Sequence, residues 1–309
     1  MARMAFVFPG QGSQKIGMGL EMLVHYPDLQ YYWKEASRIL EFDLQQLCSE
    51  GPLDLLNQTR YAQPAILTAS VVCARAAEKE GLRPYLVLGH SLGEYSALVV
   101  SGALSFEEAI GVVKGRGELM EDANCSSPGA MAAIIGLEEN VIEEIRGEIS
   151  GQVYPANYNS PDQIVVSGEI AAVDAFIVEA KRRKARRAIK LNVGVASHCP
   201  LMKEVALELE KVLEQVNFRQ FEIPFLSTVS LTEPVISDIG EILREQLVSP
   251  IRWAQAVRIA RGRGINNFVE IGPSRVLSGL IRKIDPEAAV FNIEDYPGLL
   301  ETIHKLEVN

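Results

Sequence analysis

The segment Gly89-His90-Ser91-Leu92-Gly93 constrains this chain more than any other, because it lies between the apolar run Tyr85-Leu86-Val87-Leu88 and a helical pattern starting near Glu94. A G-x-S-x-G in isolation is common by chance. Between a strand and a helix it becomes a sharp, strained turn that lifts the serine hydroxyl clear of the sheet. The glycines are needed because the backbone turns tightly while other chain passes close by. The hydroxyl of Ser91 then stands at a helix N-terminus, where the N–H of Leu92 can donate to an oxyanion. The plainer alternative, a turn serine that only caps a helix, lacks a reason for the preceding buried strand.

Apolar periodicity places that turn in an α/β framework. Residues 4–8 and 85–88 read as buried strands; 54–58, 65–79, 94–100 and a segment from Ser105 read as helices, the last opened by the capping-box pattern Ser105-Phe-Glu-Glu108. Strand–helix alternation of this kind predicts a mostly parallel sheet covered on both faces, an α/β-hydrolase-like large domain. Residues 122–129 then read as a turn-rich linker. After it come strand 130–137, helix 138–148, strand 153–158, a turn at 159–162, strand 163–167, helix 170–182 and strand 188–193. That β-α-β-β-α-β order is the ferredoxin-like unit. The predicted organisation is a discontinuous large domain, 1–126 and 196–309, interrupted by a small inserted domain, 127–195. The large domain resumes with helix 201–216, strand 225–229, helices 238–248 and 254–261, strand 267–271 and helix 275–284.

Composition bounds the setting. The 309 residues carry 30 basic and 40 acidic side chains, a net charge of -10, which disfavours a surface that tracks nucleic acid. The N-terminal apolar run before Pro9-Gly10 is too short for a signal-peptide core or a membrane span, so no membrane association is expected. Cys48, Cys73, Cys125 and Cys199 are scattered without a C-x-x-C, which argues against a disulfide framework or a metal site and fits a reducing cytoplasm. Cys73 falls in a helical pattern and reads as a small core residue.

A serine at its free pKa needs a base. Of the four histidines, His25 and His304 lie on polar helical stretches, and His90 precedes the serine and is expected to point away from it. His198, in Ala196-Ser197-His198-Cys199-Pro200, sits where the small domain returns to the large one, at the edge of an expected cleft. Its plainer reading is a histidine that caps the following helix.

Seven segments occur in one order: Phe8-Pro-Gly-Gln-Gly-Ser-Gln14, Tyr61-Ala-Gln63-Pro64-Ala65, Gly89-His-Ser-Leu-Gly-Glu-Tyr-Ser-Ala97, Arg116-Gly117, Ala156-Asn-Tyr-Asn-Ser-Pro161, Ser197-His198 and Glu270-Ile-Gly-Pro273. Together they resemble the malonyl-CoA:acyl-carrier-protein transacylases of fatty acid synthesis and the related acyltransferases of polyketide synthases. The resemblance runs from residue 4 to about 285. It implies Ser91 as the nucleophile that takes the acyl group and His198 as the general base, then acid. It implies backbone N–H groups of Gln11 and Leu92 as the oxyanion hole. A backbone carbonyl, assigned to Ser249 in Gln246-Leu-Val-Ser249-Pro250, would orient the histidine. Arg116 matches the arginine that holds the free malonyl carboxylate, a task suited to a planar guanidinium. The flanking Gly115 and Gly117 are poor choices for an exposed helix unless something packs closely. Gln63, Asn157, Met120 and Ser197 would line the same pocket. No metal or resident cofactor is implied; coenzyme A arrives as part of malonyl-CoA, and acyl carrier protein is the implied acceptor. The leucine after Ser91 favours malonyl over methylmalonyl.

Other glycine motifs do not fit nucleotides: Gly10-Gln-Gly12-Ser-Gln-Lys15 lacks phosphate-loop spacing, and Gly115-Arg-Gly117 lacks a third glycine. One charged feature stands apart from the motifs. Lys181, Arg182, Arg183, Lys184, Arg186, Arg187 and Lys190 put seven cations into ten residues. They read equally as a helix C-terminus with a solvated turn and as a docking patch for an acidic carrier protein or coenzyme A phosphates. A monomer is the default expectation. Rival functions are a trans-acting polyketide acyltransferase, a serine hydrolase of acyl thioesters and a catalytically silent acyl-binding partner; Arg116 argues against the hydrolase, which has no use for a carboxylate clamp.

Overall fold

The computed structural model describes residues 3–308; Met1, Ala2 and Asn309, the ends of the expected large domain, lie outside it. Its strands are β1 (Met4–Phe8), β2 (Leu86–Gly89), β3 (Gly129–Ile135), β4 (Val153–Ser160), β5 (Gln163–Glu169), β6 (Arg187–Lys190), β7 (Asn267–Ile271) and β8 (Ala289–Ile293). They form two sheets. The first is wholly parallel with order β2-β1-β7-β8, and the second is antiparallel with order β4-β5-β3-β6.

The parallel sheet is apolar on both faces, as helical cover on both sides requires. Along β1, Phe6 and Phe8 join one core with the helices Thr59–Lys79, Gly93–Val100 and Phe106–Ser126, while Ala5 and Val7 face a second core with Trp253–Gly262 and Val276–Ile284. Alternation of side chains across the strand divides the two cores. The expected parallel sheet with helices on both faces is therefore observed. In the antiparallel sheet, Ala130, Ala132, Ile134, Ile164 and Val166 pack under the helices Glu139–Glu148 and Ile170–Arg182. Its β-α-β-β-α-β order and antiparallel pairing are those of the expected ferredoxin-like unit. The antiparallel sheet is tied to the segment that precedes the helix Trp253–Gly262 by the bridge of Asn157 with Ile251, in which Tyr158 N donates to Ile251 O and Ile251 N to Ala156 O.

Several expected boundaries change. The segment expected as a linker at 122–129 is helical as far as Ser126, because the helix Phe106–Ser126 is closed by its capping box at Ser105 and continues until Pro128 forces the preceding Ser127 out of helical geometry (φ -142°, ψ 69°). The helix expected at 65–79 begins at Thr59 and carries Pro64 inside it. The strand expected at 225–229 is reduced to a single bridge between Val87 and Phe225. A turn at Pro200–Met202 precedes the helix Lys203–Leu213, which ends before the expected 216. Helices Gln30–Leu40 and Leu44–Glu50 and strand β8 have no counterpart in the pattern, whereas His304 lies in the helix Tyr296–Val308, as its polar helical stretch suggests. Among the described residues no helix is long and apolar enough to cross a membrane.

Candidate active site

Ser91 sits between the end of β2 and the helix Gly93–Val100 with a left-handed backbone (φ 51°), unusual for a residue with a side chain. The structure gives the flanking glycines their reason. A Cβ on Gly89 would lie 2.0 Å from the Gly93 carbonyl carbon, and one on Gly93 would lie 2.0 Å from the Phe8 carbonyl oxygen. The turn is packed against itself and against the end of β1. The loop after β1 presses on it from the other side: a Cβ on Gly10 would come 2.6 Å from the His90 carbonyl oxygen.

His198, also left-handed (φ 61°), brings Nε2 to 2.9 Å from Ser91 Oγ. Its Nδ1 lies 2.6 Å from the backbone carbonyl oxygen of Gln246. A carbonyl only accepts, so Nδ1 carries the proton and Nε2 presents its lone pair to the serine hydroxyl. Burial pushes the imidazole pKa down to about 3; the Gln246 carbonyl opposes this, and Arg116 and His90 add to it. The ring is therefore neutral near pH 7, with the Nε2 lone pair facing the serine hydroxyl. The assignment of the orienting carbonyl to Ser249 is corrected. Gln246 lies in the last turn of the helix Ile239–Val248, where carbonyls have no helical partner, whereas Ser249 has already turned extended (φ -121°, ψ 149°).

Arg116 projects from the middle of the helix Phe106–Ser126 and is only 2 % exposed. Its guanidinium donates to Gln63 Oε1 at 2.7 Å, Ser91 Oγ at 3.3 Å and Gln246 Oε1 at 3.3 Å. It stands 5.7 Å from the centre of the Tyr95 ring, and its Nε has no hydrogen-bond partner. Every direct partner is uncharged. Of its neighbouring glycines, Gly117 is enforced by packing, since a Cβ there would meet Arg60 Cα at 2.9 Å. Gly115 is not, because its Cβ would find only ordinary contact with Val212 at 3.6 Å.

Gln63 ties the cleft to the oxyanion-side loop: its Nε2 donates to Gln11 Oε1 and to Met120 Sδ, each at 3.3 Å, and Gln11 Nε2 reaches Thr59 Oγ1 at 3.1 Å. Among the described residues, the backbone N–H groups of Gln11 and Leu92 have no acceptor. The loop carrying Gln11 is fixed by Ser13 Oγ donating to Gly10 O, Gln14 Nε2 to Asn57 Oδ1, and an ion pair of Lys15 with Glu294. Ser91, His198, Arg116, Gln63, Met120 and Gln11 thus share one hydrogen-bonded network. Asn157, on β4, and Ser197, next to His198 in the chain, are both buried, but their side chains do not join it. His90 turns away from the serine, with Nε2 2.8 Å from Asn159 Oδ1 and its ring edge-on to Trp253.

Comparison with known proteins places this arrangement. A family model described as acyl transferase domain matches residues 5–291. The malonyl CoA-acyl carrier protein transacylase of Bacillus subtilis (strain 168) is 40% identical over 301 residues, covering 96% of this chain and 94% of the relative. The chain belongs to the malonyl-CoA:acyl-carrier-protein transacylase family. Among solved transacylases, the one from Coxiella burnetii has a TM-score of 0.95 at 40% identity, covering 99% of this chain and 98% of that one. A malonyl-transacylase solved in complex with its type II polyketide synthase acyl-carrier protein has a TM-score of 0.95 at 39% identity, covering 98% of this chain and 100% of that one.

Two residues of this transacylase-family cleft escaped the sequence reading. Gln246 supplies a backbone acceptor to His198 while its side chain touches Arg116, Ser91 and Glu94. Nothing in the one-dimensional pattern distinguishes its carbonyl from that of Ser249. Glu94 left a signal: it is an acid in a helix, Glu-Tyr-Ser-Ala-Leu-Val-Val, that is otherwise without charge and fully buried.

Proposed function

We propose that this chain moves a malonyl group from malonyl-CoA to the phosphopantetheine thiol of an acyl carrier protein through an ester on Ser91, supplying extender units for fatty acid synthesis. The observation that carries the reading is Arg116. A buried guanidinium with only neutral partners and an unpaired Nε, 3.3 Å from the nucleophilic oxygen, is a site waiting for an anion attached to the acyl group. A hydrolase of simple acyl thioesters would bear the desolvation of that charge without return.

In the first half-reaction Ser91 Oγ forms a bond to the thioester carbonyl carbon as its proton passes to His198 Nε2. The Leu92 and Gln11 amides receive the developing oxyanion. The C–S bond then breaks, and the histidine proton goes to the coenzyme A sulfur. The second half runs in reverse with the carrier's thiol, which gives its proton to His198 and attacks the ester carbonyl; Ser91 regains the proton as its C–O bond breaks. Gln63 holds Arg116 in place, Met120 backs it, and Asn157 and Ser197 form the wall of the acyl pocket. No resident metal or cofactor enters the scheme.

A relative solved with its acyl-carrier protein supports a carrier as acceptor. In the basic segment, Arg182 and Arg183 pair with Glu179, Arg183 also with Glu144 and Glu148, Arg186 with Asp162 and Lys190 with Asp174. We therefore narrow the docking patch to Lys181, Lys184 and Arg187, which have no carboxylate partner among the described residues. The proposed setting is a cytoplasmic monomer. Intact-mass measurement after mixing with malonyl-CoA tests the reading: one malonyl adduct is expected, absent in Ser91→Ala and discharged by holo carrier protein. A chain that takes no adduct, or takes it without Ser91, would refute it.

A further inference from the structure

Glu94 is fully buried in the first turn of the helix Gly93–Val100. Its Oε1 accepts the Thr228 N–H at 2.6 Å and the Thr228 hydroxyl at 2.8 Å, and its Oε2 accepts Gln246 Nε2 at 2.6 Å. The second proton of that same Nε2 goes to the Ser91 carbonyl oxygen at 3.1 Å. Both acceptors lie on one side of the Gln246 amide, so its nitrogen must face them and its Oε1 must face outward, where Arg116 Nη2 lies at 3.3 Å. An amide in the reverse orientation would turn its oxygen toward the carboxylate and the Ser91 carbonyl, and its NH2 toward the guanidinium. That arrangement pairs acceptors with acceptors and donors with donors.

We propose that Glu94 is a positioning residue for the acyl-carboxylate clamp: its carboxylate orients the Gln246 side-chain amide so that Arg116 meets an oxygen, and it supplies the buried counter-charge for that arginine across the amide. The inference rests on Arg116 being the carboxylate clamp of the function proposed above. Burial pushes the Glu94 pKa upward, while the Thr228 and Gln246 donors oppose that shift. The backbone carbonyl of Gln246 is held by its helix rather than by Glu94, so the device acts on the arginine side of the cleft and leaves the His198 side in place.

Glu94→Gln reverses the polarity of the relay. The two Thr228 donors keep the oxygen of the new amide, which turns its NH2 toward Gln246 and forces that side chain to flip. Arg116 then faces a donor. In single-turnover acylation of Ser91, kcat/KM for malonyl-CoA should fall about tenfold or more, mainly through KM, whereas acetyl-CoA should be little affected. A general loss of structure would slow both substrates alike. Equal losses with both, or an unchanged malonyl-to-acetyl ratio, overturn the inference. Gln246→Met keeps the backbone carbonyl and removes the amide; it should lower the same ratio and decides the question if Glu94→Gln does not fold. Arg116→Ala, run alongside, separates the failures. A ratio that falls there but not in the Glu94 variant overturns this inference alone; a ratio unmoved by Arg116→Ala overturns the clamp and the inference with it.

Discussion

Two clusters of charge in this molecule obey opposite rules. The segment from Lys181 to Lys190 carries seven cations, and four of them are already matched by carboxylates at the protein surface. The cleft carries a single guanidinium, Arg116, bonded to two amides and a hydroxyl, with its nearest carboxylate one amide away. In water, exposed pairs gain little because solvent and salt screen them. Inside the cleft, a cation that lacks a contacting anion carries its desolvation cost until a ligand supplies the charge. Number of charges is therefore a poor guide to chemistry here. In the proposed function one buried arginine next to Ser91 selects the acyl group, whereas the cations of the surface segment serve at most to bring a partner near.

That contrast can be broken first at Arg116. Arg116→Lys keeps the charge but loses the fork that spans Gln63, Ser91 and Gln246 at once. Malonyl transfer, measured as kcat/KM relative to acetyl-CoA, should drop about 10-fold to 100-fold. The same exchange at Arg183, on the surface, should leave that ratio unchanged. If both substitutions are silent, burial is not what distinguishes the two clusters.

Acid provides a second test. His198 has an ordinary pKa of 6.5 and about 3 in the folded cleft, so between these values the unfolded chain binds a proton that the folded chain refuses. Its contribution to stability is present above pH 6.5 and is lost as pH falls toward 3. The Tm of the wild type should therefore decline more steeply below that point than the Tm of His198→Gln. Parallel declines would show that the imidazole is not desolvated as the structure has it.

The smallest effect is expected at the surface. Replacing Lys181, Lys184 and Arg187 together by alanine should raise KM for holo carrier protein about threefold to tenfold at low salt, with kcat unchanged. High salt should abolish the difference. An effect on kcat, or one that persists in salt, would move these residues out of the docking category.

Much of the cleft was legible because its parts are local. The strand, Gly89, Ser91, Gly93 and the following helix are contiguous, and the steric demand that makes those glycines necessary is met within a few residues and by the end of β1. Arg116 was picked out by the family resemblance with Gly115 and Gly117 as support, and of the two glycines only Gly117 marks a close approach, to Arg60. What could not be read depends on where elements stop. Asp122 to Cys125 look like a turn by composition, yet the helix runs through them until Pro128. The carbonyl that meets His198 belongs to Gln246 because the helix Ile239–Val248 still controls its direction three residues before Ser249.

Residue type and short-range periodicity in the amino-acid sequence by themselves determined the α/β class and the strained serine turn, while His198 and Arg116 were singled out by the resemblance of their segments to the transacylase family. Only the tertiary structure decided which acceptor orients His198, which way the Gln246 amide points and that Glu94 lies behind it. Those outcomes join segments 48, 152 and 155 residues apart in the chain, and hydrogen-bond direction is a property of the assembled contact rather than of either partner alone.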